Sequence, residues 1–154
     1  MHLMQQVLPV LSYLHRKGII HRNIAPDNMI FRDRDKLPVL IDFGVIKEIA
    51  MRLQQNVGKQ HATTVGKLGY APIEQMQTGN AYPNSDLYAL AVSAVVLLTG
   101  REPPEVLNDR TVTWQRWCQV SPAFASVLNR MLSITPNQRY ASASQVQQAL
   151  QSPM

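Results

Sequence analysis

His21-Arg22-Asn23-Ile24-Ala25-Pro26-Asp27-Asn28 runs into two short apolar segments and then, fourteen residues after Asn28, into Asp42-Phe43-Gly44. Proline, aspartate and asparagine within residues 19–28 favour a loop. Met29–Phe31 and Val39–Ile41 flank the turn-like stretch Arg-Asp-Arg-Asp-Lys-Leu-Pro, the pattern of a β-hairpin.

Working outward, Leu3, Val7, Leu11 and Leu14 recur at helical spacing and Gly18 follows as a stop, so residues 2–17 read as a helix, with Pro9 expected to kink it or weaken its first turns. Residues 42–84 hold five glycines and little apolar periodicity, which predicts a long loop of the kind that is usually functional or mobile. Ser85 is placed to cap a helix reaching Thr99, with Gly100 beyond it. The body of that helix is apolar nearly all round, as suits the buried axis of a fold. Ser121-Pro122 opens another helix, striped by Phe124, Val127, Leu128, Met131 and Leu132. Ser142 and Gln145 form a capping box for a last one, whose apolar face is Val146, Ala149 and Leu150. Between residues 101 and 120 the pattern is weaker; Trp114 and Trp117, three apart, suggest one turn packed on the core. The expected architecture is mainly α: a helical bundle with one small β-hairpin and a long loop, forming one domain over residues 1–151 and a tail at 152–154.

Composition narrows the function classes. The net charge is +5, but the basic residues are dispersed, whereas a nucleic-acid site gathers them on one face, so no nucleic-acid partner is expected. The longest apolar run, about Ala89 to Leu98, is too short to span a bilayer, and the first residues lack a signal peptide's charged start and cleavage site. Cys118 is the single cysteine, without metal-ligand spacing around it, and is expected to be a small core residue. A cytoplasmic location is the matching expectation.

The stretch 21–28 resembles the catalytic loop of protein kinases, and Asp42-Phe43-Gly44 resembles that family's metal-binding motif. Gly66-Lys67-Leu68-Gly69-Tyr70-Ala71-Pro72-Ile73-Glu74 resembles the end of its activation segment, and Asp86 and Arg139 follow in family order. The resemblance covers about residues 2–150 and is to the C-terminal lobe of a bacterial-type serine/threonine kinase. Phosphoryl transfer depends on a metal-held triphosphate, an oriented hydroxyl and charge stabilisation at the moving group. Mg²⁺ prefers oxygen ligands, and the resemblance assigns Asn28 and Asp42 to Mg²⁺ and, through it, to ATP. Taken singly, Asn28 and Asp42 also suit ordinary turns.

Departures from the family matter as much. Active members carry aspartate where this chain has Asn23; an amide is no base near neutral pH, and losing a general base costs about 10²–10⁴ in rate. Ala25 stands where many members place a phosphate-pairing lysine, Lys67 where a bracing threonine is common, and Pro72-Ile73 where Ala-Pro precedes the glutamate. No GxGxxG occurs, and Lys17 is the only lysine among the 20 residues before His21. The Gly-rich cover and strand lysine of the family's N-lobe are therefore absent from these residues. The expectation is a truncated kinase domain, inactive alone, that awaits an N-lobe in trans or a longer chain, or that serves as a non-catalytic interaction module.

The remaining landmarks read as architecture. Glu74 and Arg139 resemble the ion pair tying the activation segment to the helical core, whose breakage costs about 3–5 kcal/mol. Asp86 resembles the aspartate holding the catalytic-loop backbone, with His21 packed beneath it. Arg22 is placed to pair with a phosphate on the long loop, where Thr63 and Thr64 are candidate acceptors, although both also suit a plain solvated loop. Lys47, Arg52, Lys59 and Lys67 read as a solvated face.

Overall fold

The computed structural model describes residues 2–44, 66–108 and 111–151. It begins with α1 (His2–Arg16), which remains one element through Pro9. Met4, Val7, Leu8 and Leu11 are buried to 1% exposure or less. At about 1.5–3 kcal/mol each, their burial exceeds the roughly 3 kcal/mol penalty of an interior proline. A loop then leads through a 3₁₀ turn (Pro26–Asn28) into β1 (Met29–Phe31), which pairs antiparallel with β2 (Pro38–Leu40). Met29 lies opposite Leu40, both buried, and Ile30 opposite Val39, both exposed, as the two-residue period of a strand dictates.

Within the span expected to be loop, a short helix forms, α2 (Ile73–Thr78), ended by Gly79 in the left-handed conformation at φ 72°. Its one turn and a half carries too few apolar positions to register as periodicity. The central helix α3 (Pro83–Thr99) starts two residues before Ser85. Ser85 sits inside its first turn, where its hydroxyl accepts from the Tyr82 N–H at 3.1 Å. Buried residues run from Ser85 to Val95, making α3 the axis of the core. Gly100, at φ 65°, returns its N–H to the Val96 carbonyl and closes it.

The span 101–120 resolves into a helical turn α4 (Pro103–Val106), a strand pair β3 (Leu107–Asn108) and β4 (Thr111–Val112), and a 3₁₀ turn at Trp114–Arg116. The two tryptophans part company. Trp114 is fully buried and donates its indole N–H to Asn129 Oδ1 at 3.0 Å, whereas Trp117 is half exposed with the Arg101 guanidinium 4.1 Å above its ring. Cys118 is only partly buried and packs at the margin of the core.

Helix α5 (Pro122–Met131) is capped by Ser121, which accepts from the Phe124 N–H at 3.2 Å. Helix α6 (Ala143–Gln151) follows Ser142, which accepts from the Gln145 N–H, while the Gln145 side chain reaches one residue further back than a capping box requires, to the Ala141 N–H. α1 packs on α3, α6 and β2, and α5 and α6 close the far side of α3. The mainly helical fold with a two-stranded hairpin is as expected, and no helix among the described residues is long and apolar enough to cross a membrane.

Candidate functional site

The loop from His21 to Asn28 is held from below by α3. Asp86 accepts from the His21 N–H at 2.8 Å with Oδ2 and from the Arg22 N–H at 2.9 Å with Oδ1. Its carboxylate is 1% exposed and also meets His15 Nε2 at 2.9 Å. Two adjacent backbone N–H groups pointing at one buried carboxylate fix the loop's direction, and that carboxylate avoids an isolated buried charge through them. Asp86 thus binds two successive N–H groups of the loop backbone. The His15 contact was not anticipated: the histidine lies one turn beyond the apolar Leu11, and nothing local marks it as facing inward.

His21 is fully buried, its ring 4.3 Å from that of Phe43. Burial pushes the imidazole's pKa below its ordinary value, against the opposing pull of Asp86, the Ile41 carbonyl and Asp42. The Gly44 N–H donates to the His21 carbonyl at 2.9 Å, so the segment around Asp42 is tied to the loop by backbone as well as by ring contact.

Two non-glycine residues in this site, Arg22 (φ 67°) and Asp42 (φ 59°), hold left-handed backbone. That conformation costs about 1–2 kcal/mol per residue and persists only where surrounding bonds enforce it. For Arg22 they are the Asp86 bond to its N–H and a 2.7 Å bond from Gln75 Nε2 to its carbonyl. For Asp42 the Asn23 amide donates to the main-chain oxygen at 3.2 Å and to Oδ2 at 3.3 Å. Both partners are acceptors, so the NH₂ end of Asn23 must face them. Asn28 Nδ2 donates to the Asn23 carbonyl at 2.7 Å, which leaves the Asn28 amide oxygen as its donor to a cation.

The structure therefore gathers Asn23, Asn28 and Asp42 at one mouth, between the loop and the exit of β2. Among the described residues no cluster of three or more histidine, cysteine or acidic side chains offers a metal site. One carboxylate plus one amide oxygen nevertheless suits Mg²⁺, which keeps several waters and takes its other ligands from phosphates.

Glu74 and Arg139 form an ion pair. Nη1 and Nη2 of Arg139 donate to Oε1 and Oε2 of Glu74 at 2.6 and 3.2 Å, with the arginine side chain fully buried. Ser85 adds a bond to Oε1 at 2.9 Å, and the Ser133 and Ile134 carbonyls take further guanidinium protons. Burial would raise the Glu74 pKa, but the bonds from Arg139 and Ser85 prevail and hold it below its ordinary value. Ser85 was read only as a cap; its bridging role depends on α2 folding back over α3.

Lys67 corrects its own expectation. It forms a solvent-exposed ion pair with Asp27 while its ammonium lies 5.0 Å from the Tyr70 ring centroid, so besides facing solvent it clasps the end of the long segment to the catalytic-type loop. Gln75, fully in the interior, was missed because a glutamine carries no sequence signal for burial. Thr63, Thr64, Lys47, Arg52 and Lys59 lie outside the described residues.

Comparison with known proteins agrees with this geometry. The protein kinase domain model matches residues 1–154. The serine/threonine-protein kinase PknA of Nostoc sp. is 41% identical over 150 residues, covering 94% of this chain and 26% of that protein. Serine/threonine-protein kinase B of Synechocystis sp. is 43% identical over 155 residues, covering 96% and 27%. The chain thus spans about a quarter of the length of these relatives. A solved structure described as the PpkA-294 apo form superposes with a TM-score of 0.76 at 27% identity, over 97% of this chain and 53% of that one. A family match along the whole chain, joined to these relatives and to the loop held on Asp86, means that the chain belongs to the protein kinase domain family, of the bacterial serine/threonine type.

Proposed function

We propose that these residues form the C-terminal lobe of a serine/threonine kinase domain whose base position has become an amide, so that the chain by itself does not transfer phosphate. The observation that carries this reading is the Asn23 side chain donating hydrogen bonds to Asp42. At that place an active loop needs a group that accepts a proton from an alcohol. Asn23 presents N–H instead, and its oxygen binds protons only in strong acid.

Asn28 and Asp42 are the residues that would hold Mg²⁺, and the Mg²⁺, when bound, would neutralise and clamp the phosphates of ATP. Asn28 orients its amide through the Asn23 carbonyl, and Asp42 is held by Asn23. Ala25 adds no cation for the transferred group, and Lys67 is engaged with Asp27. A cytoplasmic location completes the proposal and suits a chain with the single cysteine Cys118.

A second reading has its own support. A groove of about 330 Å³ lies between α1 and β2, lined in part by Val10, Leu14, Pro38, Val39 and Phe43. Beside it Ile30 and Phe31 are about half exposed. Apolar surface of this kind favours a covering partner. In this reading an N-lobe, in the same polypeptide or in trans, closes the nucleotide cleft; in a third, a different protein occupies the face and no nucleotide is involved.

Radiolabelled ATP with Mg²⁺ and a basic protein substrate tests the proposal against the second reading, with the chain alone and with a relative's N-lobe added. The expected result is no transfer above an Asp42→Ala control in either case. Transfer that disappears on mutating Asn28 or Asp42 would overturn the proposal.

A further inference from the structure

Asn23 is engaged through its backbone N–H, its carbonyl and its side-chain NH₂ along this mouth. It is 6% exposed. Its N–H donates to His21 Nδ1 at 3.3 Å, its carbonyl accepts from Asn28, and its NH₂ spans the main-chain and side-chain oxygens of Asp42. An aspartate at position 23 would set carboxylate oxygen against carboxylate oxygen at the same separation. Two like charges that close repel, which a shared proton or a cation between them relieves. The amide removes that repulsion: it is neutral, and its partial positive charge points at the Asp42 carboxylate.

From this we infer that Asn23 is a built-in substitute for a divalent cation, holding Asp42 in its left-handed conformation so that the lobe is folded and ordered at this mouth without metal, at the expense of metal affinity. The inference rests on the reading of Asn28 and Asp42 as Mg²⁺ ligands. Affinity for a hard cation rises with the charge of its oxygen ligands. Position 23 as found brings no charge, and its NH₂ competes with the cation for Oδ2 of Asp42.

The test uses Mn²⁺ as probe, followed by its electron paramagnetic resonance signal, on the full chain without nucleotide. Phosphate transfer plays no part in it, so activity in the assay above would overturn the proposed function and leave this measurement readable. The wild-type chain is expected to unfold at the same temperature in EDTA and in Mn²⁺. Asn23→Asp is expected to bind Mn²⁺ about tenfold or more tightly than wild type, to melt lower in EDTA, and to regain stability with Mn²⁺. Asn23→Asp combined with Asp42→Asn should lose that response. Equal affinities for wild type and Asn23→Asp, or a wild-type melt that depends on Mn²⁺ as strongly as the variant's, would overturn the inference. If Asn23→Asp does not fold in either buffer, Asn23→Ala decides: it removes the donor without adding charge, and must melt lower in EDTA and bind Mn²⁺ more tightly than wild type. Unchanged Mn²⁺ affinity in Asn23→Ala sinks the idea.

Discussion

Gln75 donates from its side-chain amide to the main-chain carbonyl of Arg22 at 2.7 Å, joining the short helix α2 to the loop that carries Asn23. Gly66 makes room for that bond. A β-carbon there would lie 2.7 Å from Gln75 Nε2 and 2.8 Å from Ala71 Cβ, at a backbone φ of 134°. Gly66→Ala should therefore displace Gln75, strand the Arg22 carbonyl and destabilise the lobe by about 2–4 kcal/mol. Gly79→Ala is the control. Its φ is 72° with nothing within 4 Å, so only backbone strain of about 1–2 kcal/mol applies. Urea unfolding of both variants measures the difference; equal losses would mean that the Gln75 bond is dispensable.

Glu74 gives a pH dependence whose sign follows from its environment. Its carboxyl is held below the ordinary 4.5 despite burial, because Arg139 and Ser85 bond the charged form. The folded state thus favours deprotonated Glu74. Its contribution is complete above about pH 4.5 and is lost as pH falls through the lowered folded value. At pH 7, Glu74→Gln should cost about 3 kcal/mol, the lower end for a buried pair because carbonyls still serve the guanidinium. The gap in melting temperature between the two proteins should close as pH drops below 4.5. A gap that stays constant down to pH 3 would rule out the ion pair as its source.

Asp86 anchors two backbone N–H groups at once. Asp86→Ala leaves both buried without an acceptor, at about 1–3 kcal/mol each, so a loss of roughly 2–6 kcal/mol is expected. Asp86→Asn keeps one acceptor oxygen and should lose about half as much. Hydrogen exchange at the amides of His21 and Arg22 reports the effect directly. Protection there should fall in Asp86→Ala by more than it falls in the core of α5.

The face around β1 and β2 presents Ile30 at 53%, Phe31 at 49% and Val39 at 39% exposure. Uncovered, such a face favours association. Sedimentation of the purified chain should show mass rising with concentration, and Ile30→Lys with Phe31→Lys should reduce it, since both side chains already project to solvent. A wild-type chain that stays monomeric at high concentration would show that this face needs no cover.

Local chemistry explains how much was legible. The helices α1, α3, α5 and α6 announce themselves by apolar spacing, and Ser121 and Ser142 cap where their residue type says they should. The ordered set of His21, Asn23, Asn28, Asp42, Glu74, Asp86 and Arg139 named the family and its amide at the base position, because these residues are identified by type and order alone. Contacts between distant segments were not legible. Lys67 reads as a surface cation until Asp27, forty positions away, is brought beside it. Gln75, in a span read as loop, and His15, in a helix, carry no local sign of their partners until the chain folds. Asn23 reads as a lost base, and only the fold turns its amide onto Asp42. A hydrogen bond needs its two groups within about 3 Å, and for pairs tens of residues apart that proximity is created by the packing of α1, α2 and the hairpin around α3.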